Sequence, residues 1–149
     1  MIQLNTYHLF IIKPDAFQLY FKNANPLFLL LKKLYRMDKR NANYGLSLYH
    51  QVCTTMNVKL LSNYMIEKVP AIKVKKNTFK MLSFFESTTF ELHYSNILVE
   101  TDKTLPAIYQ IFHIYHNHIF VCDFKQNRYF WLDEVLKNGN HRKKTHIIN

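Results

Sequence analysis

The sequence predicts a single α+β domain of two layers, in which helices pack on a sheet of mixed or antiparallel strands. Its 149 residues match the size of one ordinary domain. Hydrophobic residues make up 48% of the chain and aromatic residues 15%, which supplies a packed core and excludes a wholly disordered chain. Strand-like and helix-like segments are interspersed, and only two Gly and four Pro disfavour a sharply cornered all-β fold. We place the domain at residues 1–136 and predict a basic, disordered tail at residues 137–149.

The N-terminal part of the chain predicts a strand followed by two helices. Residues 6–13 (TYHLFIIK) are apolar and β-branched, which indicates a strand buried on both faces. Pro14 supplies a preset φ for a helix start, and Asn25 followed by Pro repeats such a start. The first helix carries one aromatic stripe, formed by Phe17, Tyr20 and Phe21. The second runs to about Arg36 and directs four leucines inward: Leu27, Leu30, Leu31 and Leu34.

The middle of the chain alternates helical and strand-forming patterns. Residues 37–43 are polar and predict a loop. Residues 46–67 have a weak helical pattern, which poor helix formers at 54–57 divide. Residues 69–80 form a lysine-rich stretch. Two further runs are rich in β-forming residues and predict strands: residues 81–85 and 89–99.

The C-terminal part predicts a helix, a hairpin and a tail. Residues 104–117 carry the clearest amphipathic helix, with apolar residues at positions 0, 3, 4 and 7: Ile108, Ile111, Phe112 and Tyr115. Residues 118–124 and 128–132 are short apolar runs separated by Lys-Gln-Asn, which is typical of a β-hairpin. Residues 133–149 lose aromatic residues and gain basic ones, so we expect most of them to form the tail.

The charge of the chain predicts an acidic partner. Lys and Arg number 20 against 10 acidic residues, a formal net charge of +10. This charge suits nucleic acid, an anionic membrane surface or an acidic protein face, and it does not choose among them. No signal-peptide pattern and no run of 18 apolar residues is visible, so we expect a cytoplasmic protein without a membrane segment. Cys53 and Cys122 have no CxxC spacing. They are therefore either two buried free thiols or the two halves of one disulfide bridge.

Catalytic and metal-binding patterns are weak, so we expect neither an enzyme nor a bound cofactor or metal ion. Three histidines lie close together in the sequence, but no fourth ligand is evident. They are His113, His116 and His118. Three acids near the C-terminus fit a metal-dependent nuclease only loosely and are more typical of surface and turn positions. They are Asp123, Asp133 and Glu134. No Walker, dinucleotide-binding or Ser-elbow motif is present.

A nucleic-acid interface is the alternative that the basic residues support. Residues 68–80 and the basic tail could contact phosphates, while three phenylalanines could stack on bases: Phe79, Phe84 and Phe85. Lysine and phenylalanine are both common throughout this chain, so their proximity is also typical of a solvated loop next to a core.

Two segments carry a family resemblance. Residues 11–21 (IIKPDAFQLYF), with the helical PLFLLLKKLY after them, and residues 118–132 (HIFVCDFKQNRYFWL) resemble SirA, the sporulation inhibitor of replication of endospore-forming bacteria. The resemblance is good over roughly residues 7–35 and 97–132 and thin over residues 36–86. Phe130 replaces a glycine of the family's Arg-Tyr-Gly-Trp-Leu.

The resemblance implies an adaptor that acts without catalysis. SirA-like proteins bind the N-terminal domain of the replication initiator DnaA and block initiation. Tyr20 falls on one aromatic contact position of the family's first helix, Ala16 falls on the other, and Phe17 is one residue along. Gln51 is the candidate for the family's contact Gln. We expect Lys13 and Lys22 at the rim of this contact and a monomeric protein.

Overall fold

The computed structural model describes residues 3–141, which form one α+β domain. The described strands are β1 (Asn5–Ile12), β2 (Cys53–Thr54), β3 (Ala71–Lys75), β4 (Thr78–Met81), β5 (Thr88–Leu92), β6 (Ile97–Thr101), β7 (Ile119–Asp123) and β8 (Arg128–Trp131). The described helices are α1 (Pro14–Tyr20), α2 (Asn25–Tyr35), α3 (Ala42–Val52), α4 (Val58–Lys68), α5 (Ile108–Tyr115) and α6 (Leu132–His141), with one 3₁₀ turn (Lys39–Asn41). The α+β class predicted from the sequence is confirmed.

The strands form one antiparallel sheet in the order β3-β4-β5-β6-β1-β7-β8, and the short β2 pairs with the end of β1. β1 lies inside the sheet between β6 and β7, so Leu9 lies opposite both Ile97 on β6 and Val121 on β7. Alternate residues of β1 face opposite sides of the sheet, and Leu9 through Ile12 are all buried. The predicted strand buried on both faces is therefore confirmed.

Helices cover both faces of the sheet, so the domain has three layers rather than the two that we expected. One core lies under α4, α5 and α6 and includes Leu9 and Ile11 of β1. The other lies under α1, α2 and α3 and includes Phe10 and Ile12. A strand that is apolar on both sides requires a cover on both sides, because each face would otherwise expose its side chains to water.

The two helical layers differ in how much of the sheet they cover. The core under α4–α6 takes residues from β4, β5, β6, β1 and β7. Within the described residues, the core under α1–α3 takes sheet residues only from β1, β2, β7 and β8. The same face of β4–β6 therefore carries half-buried or exposed side chains, among them Thr89 and Leu98.

Local signals placed several elements correctly. The first helix begins at Pro14, and the second begins at Asn25. The predicted division near residues 54–57 is confirmed, and Asn57 caps α4 by accepting a hydrogen bond from Leu60 N through its side chain (3.0 Å). The predicted hairpin is β7–β8, with Asn127 in the left-handed region at φ 55°. The helix predicted over residues 104–117 is shorter and spans Ile108–Tyr115.

Two predictions for the middle of the chain were wrong. Residues 81–85 do not form a strand, because β4 ends at Met81 and the chain then turns where Leu82 N donates to Pro70 O (2.8 Å). The lysine-rich stretch forms the strands instead, as the β3–β4 hairpin. The loop predicted over residues 37–43 contains the 3₁₀ turn and the start of α3 at Ala42.

The predicted boundary between the domain and the tail, after residue 136, falls inside a helix. α6 spans Leu132–His141, so residues 137–141 of the predicted tail are helical, while Val135 and Leu136, on the domain side, are buried at 9% and 6% exposure. Leu136 packs into the core under α4–α6, so α6 is part of the domain. Residues 142–149, the rest of the predicted tail, lie outside the described residues.

Candidate docking surface around the first helix

The start of α1 lies against the end of α3. Lys13 N donates to Val52 O at 2.9 Å. Lys13 O in turn accepts the first hydrogen bond of α1, from Phe17 N at 2.8 Å. Gln51 is the residue before Val52 and is exposed, while Lys13 is half-buried. The fold therefore brings the backbone of Lys13 next to the residue that follows Gln51, although the two are far apart in the sequence.

Phe17 is fixed in place by aromatic neighbours from the C-terminal half of the chain. Its ring stacks on His118, with centroids 4.0 Å apart and planes 7° apart. The ring of Trp131 meets it edge-on at 4.9 Å, and Phe21 lies 5.0 Å away. Phe17 is half-buried, so part of a preset ring remains accessible.

The aromatic stripe of α1 mainly faces the core. Tyr20 is half-buried like Phe17 and packs on the core under α1–α3. Ala16 is only 5% exposed, so the assignment of Ala16 to the contact surface is corrected: its methyl group is core. At 100° per residue, Ala16 and Tyr20 lie on the same side of the helix, which is why the stripe is drawn inward.

The sequence analysis missed Leu19, and it named Phe21 in the aromatic stripe but not as a contact residue. Leu19 is 71% exposed and Phe21 is 38% exposed, and Lys22 beside them is exposed as well. The sequence does contain a hint of this exposure, because Leu19 lies between the residues of the stripe and interrupts the amphipathic pattern of the helix. We call the following set the α1 surface: Lys13, Phe17, Leu19, Tyr20, Phe21, Lys22 and Gln51.

The base of the α1 surface contains unusual polar groups. Among the described residues, Trp131 Nε1 and His118 Nδ1 are buried without a hydrogen-bond partner, and both belong to rings that contact Phe17. His118 N donates to His116 Nδ1 at 3.2 Å. Burial lowers the pKa of His116, and the nearby His118 lowers it further. Both effects favour an uncharged His116 imidazole at neutral pH.

The lysine-rich stretch forms a second candidate surface. Four exposed lysines lie on or beside the β3–β4 hairpin: Lys73, Lys75, Lys76 and Lys80. Phe79 is 0% exposed and stacks on Phe90, so its proposed contact with bases is corrected. Phe84 and Phe85 are 102% and 85% exposed, in the loop after β4. The turn at residues 76–77 lies at the other end of β4 from that loop, whereas Lys80 lies at the same end as Phe84 and Phe85.

Three of the candidate metal and catalytic residues, His113, Asp123 and Asp133, have structural partners. His113 Nε2 lies 2.6 Å from Asp133 Oδ1, which ties α5 to α6. Asp123 is 2% exposed and accepts from Arg128 and from Gln126 N, both at 3.0 Å, which holds the β7–β8 turn. Within residues 3–141, no cluster of three or more His, Cys, Asp or Glu side chains could hold a metal ion.

Both cysteines are buried free thiols, which removes the bridge that the sequence left open. Burial raises the pKa of Cys53 to about 12, and it raises the pKa of Cys122 well above its usual value. A thiol held protonated in this way is a poor nucleophile, because the thiolate is the reactive form.

Comparisons with known proteins give no family for this chain. No protein-family model matches it, and no curated protein matches it either. Of the helices described, none has both the length and the apolar character needed to cross a bilayer.

Proposed function

We propose that this protein is a non-catalytic inhibitor of chromosomal replication initiation, which acts in the cytoplasm by binding the N-terminal domain of DnaA when a cell commits to sporulation. The observation that carries the proposal is the α1 surface. It joins the segment that resembles the first helix of SirA to the exposed Gln51 through the Lys13–Val52 hydrogen bond.

The packing of the α1 surface suits a binding hot spot. Phe17 and Tyr20 are held by the core and keep part of each ring accessible. Fixed rings lose little side-chain entropy on association, so more of the contact energy is retained as affinity. Leu19, at 71% exposure, adds apolar area that water covers unfavourably in the free protein. Aromatic anchors of this kind dominate many interfaces.

The charge of the chain supports association with an acidic domain. The formal net charge is +10, and Lys22 is exposed beside Phe21. Rim charges of this type raise the rate of encounter more than they slow dissociation. We therefore expect Lys22→Ala to lower the association rate with DnaA and to leave the dissociation rate nearly unchanged.

The proposal is tested by titrating the protein with the purified N-terminal domain of its host's DnaA. Tyr20→Ala should weaken binding by about 2 kcal/mol or more, which is about thirtyfold in Kd. Tyr115→Ala is the matched control, because Tyr115 is also partly exposed, at 37%, but lies on α5 on the other face of the sheet. Circular dichroism should show that both variants fold.

Two outcomes would contradict the proposal at different levels. If the unaltered protein does not bind the DnaA domain, the partner is wrong. If it binds, but Tyr20→Ala and Leu19→Ala bind as tightly as Tyr115→Ala, the partner is right and the α1 surface is the wrong site.

The second candidate function is sequence-independent nucleic-acid binding. It is favoured by the four exposed lysines on or beside the β3–β4 hairpin. Such binding should weaken steeply with salt, since each phosphate contact releases a counterion. Fluorescence anisotropy with a random oligonucleotide at about 50 mM and about 200 mM salt measures this slope. Binding that survives the higher salt, or that persists after all four lysines are changed to alanine, would refute the hairpin interface.

A further inference from the structure

The loop between β4 and β5 presents two phenylalanine rings to solvent. Phe84 is 102% exposed and Phe85 is 85% exposed, and Leu82 beside them is exposed as well. Neither ring belongs to either core, so packing within the domain does not explain these residues. Water covers such apolar area unfavourably, and a contiguous exposed apolar patch is typical of an interaction site.

Both ends of this loop are fixed to the domain by backbone hydrogen bonds. At the first end, Leu82 N donates to Pro70 O at 2.8 Å. At the second end, Ser87 N donates to Asp102 Oδ1 at 3.0 Å, and Asp102 N donates to Ser87 O at 3.2 Å. A loop that is already ordered loses little conformational entropy when its side chains are bound.

An apolar trough lies between α2, α3 and the part of the sheet that the α1–α3 layer leaves uncovered. Its volume is about 610 Å³. The apolar side chains that line it come from β1, α2, α3 and β6: Phe10, Leu31, Leu34, Leu46 and Leu98. Leu46 is 50% exposed, so the mouth of the trough is open to solvent.

Polar groups that line the trough already have partners. His8 Nδ1 lies 3.3 Å from Asn96 Oδ1, and burial lowers the pKa of His8, which favours its uncharged imidazole. The Asp38 carboxylate is paired with Arg40 at 3.0 Å. An aromatic ring can therefore enter the trough without separating an unpaired charge from water.

The loop of one chain cannot fill its own trough. The loop ends where Thr88 begins β5, whereas the turn between β5 and β6 borders the trough through His93, Ser95 and Asn96. The strand between them has five residues and spans roughly 14 Å. Because both ends of the loop are fixed at the far end of this hairpin, its rings can enter only the trough of another molecule.

We propose that Phe84 and Phe85 of one copy insert into the trough of a second copy. A cavity of about 150 Å³ holds one benzene ring, so a trough of about 610 Å³ has room for both rings. The rings and the mouth of the trough are exposed in the isolated chain, so the contact removes apolar area from water on both sides.

The contact joins two different surfaces of the chain. It therefore either recurs along a row of copies or is made twice in a symmetric pair. This self-association departs from the monomeric state that we expected from the sequence. It does not involve the α1 surface, so it stands or falls independently of DnaA binding.

The self-association should be weak and should tighten with salt. Two aromatic side chains bury about 300–500 Å², and the trough wall a similar area, so the interface is smaller than the roughly 1,200 Å² of a stable complex. We expect a Kd of about 100 µM. The net charge of +10 makes the copies repel each other, and salt screens this repulsion. Contacts with nucleic acid respond to salt in the opposite direction.

Sedimentation velocity from about 20 µM to about 1 mM protein tests the contact. The double change of Phe84 and Phe85 to alanine should weaken self-association at least about tenfold. Its control removes two other exposed apolar side chains, Leu60 on α4 and Ile114 on α5. Leu46→Glu places a charge at the mouth of the trough and should cause a similar loss, whereas Leu60→Glu should not.

Mixing the two deficient variants identifies the surfaces that meet. Leu46→Glu keeps an intact loop, and the Phe84 and Phe85 double variant keeps an intact trough. The mixture should therefore associate although neither variant does so alone. All substituted side chains are exposed, so circular dichroism should show that every variant folds.

Three results would overturn the proposal. A protein that is monomeric at about 1 mM, or whose association survives the loss of both rings, does not use the loop. A mixture that fails to associate shows that the loop and the trough do not meet. A monomer that sediments with phosphatidylglycerol vesicles, and does so only with Phe84 and Phe85 present, uses these rings to bind a bilayer instead.

Discussion

Replacing Phe17 with alanine should lower the free energy of unfolding by about 2 kcal/mol. A fully buried Phe→Ala change costs about 3–5 kcal/mol, and Phe17 is half-buried, so we take roughly half of that range. The stack on His118 and the edge contact with Trp131 add to the loss, since an aromatic pair contributes about 0.5–1.5 kcal/mol beyond its buried area. Relaxation of Phe21 into the gap acts in the opposite direction.

Urea unfolding at constant pH measures this difference from the midpoint and the slope. The matched control is Leu19→Ala, which lies on the same helix at 71% exposure and should change stability by less than about 0.5 kcal/mol. Equal stabilities of the two variants would refute the view that Phe17 is a packed residue. The measurement also matters for the DnaA titration. A loss of DnaA affinity in Phe17→Ala must be corrected for the fraction of unfolded protein, whereas a loss of affinity in Leu19→Ala needs no such correction.

Three further predictions concern other parts of the domain. Leu136→Ala should lower the free energy of unfolding, measured in urea, by about 3 kcal/mol because Leu136 lies in the core. The exposed Lys137→Ala should change it little. Equal free energies of unfolding for the two variants would mean that α6 does not pack on the domain. Burial lowers the pKa of His8 below 6.5, so the folded state binds its proton more weakly than the unfolded state does. Stability should therefore fall as the pH drops below about 6.5, and less so in His8→Gln, as unfolding at about pH 7.5 and about pH 5.5 would show. Cys53 and Cys122 should react with a thiol reagent only after unfolding, and rapid labelling of the native protein would contradict their burial.

The elements that could be predicted from the sequence begin or end at strong local signals. Pro14 and Asn25 mark helix starts, and the turn before Arg128 marks a hairpin, because these preferences depend on the backbone of neighbouring residues alone. The α5 helix was visible from its apolar spacing. The α+β class that these elements predicted is confirmed by the antiparallel pairing of the sheet.

The failures concern contacts between distant residues. The lysines of β3 obscured a strand that pairing with β4 stabilises, and the polar residues after Leu136 obscured the amphipathic pattern of α6. Burial of Ala16 follows from how α1 lies on α3, which spacing within α1 does not specify. A clue to the third layer was present, since the strand around Phe10 was predicted to be buried on both faces.

The α1 surface was only partly predictable for the same reason. The aromatic stripe suggested rings that contact a partner, but a stripe is also what a helix buries against its own domain. His118 and Trp131 support Phe17 from far along the chain, and no local pattern links them. Leu19 was the one local hint of an exposed apolar residue on α1, because it interrupts the aromatic stripe.

The position of β1 has a consequence for biosynthesis. Within this sheet the strand translated first, β1, is an interior strand, and its two long neighbours, β6 and β7, are translated much later. Sheets whose partners are so distant in sequence close slowly, since a long loop must be ordered first. We expect nascent chains that end before Ile119 to remain sensitive to protease and to be clients of chaperones that bind apolar segments such as Phe10–Ile12. Protease-resistant chains of that length would contradict this order of assembly.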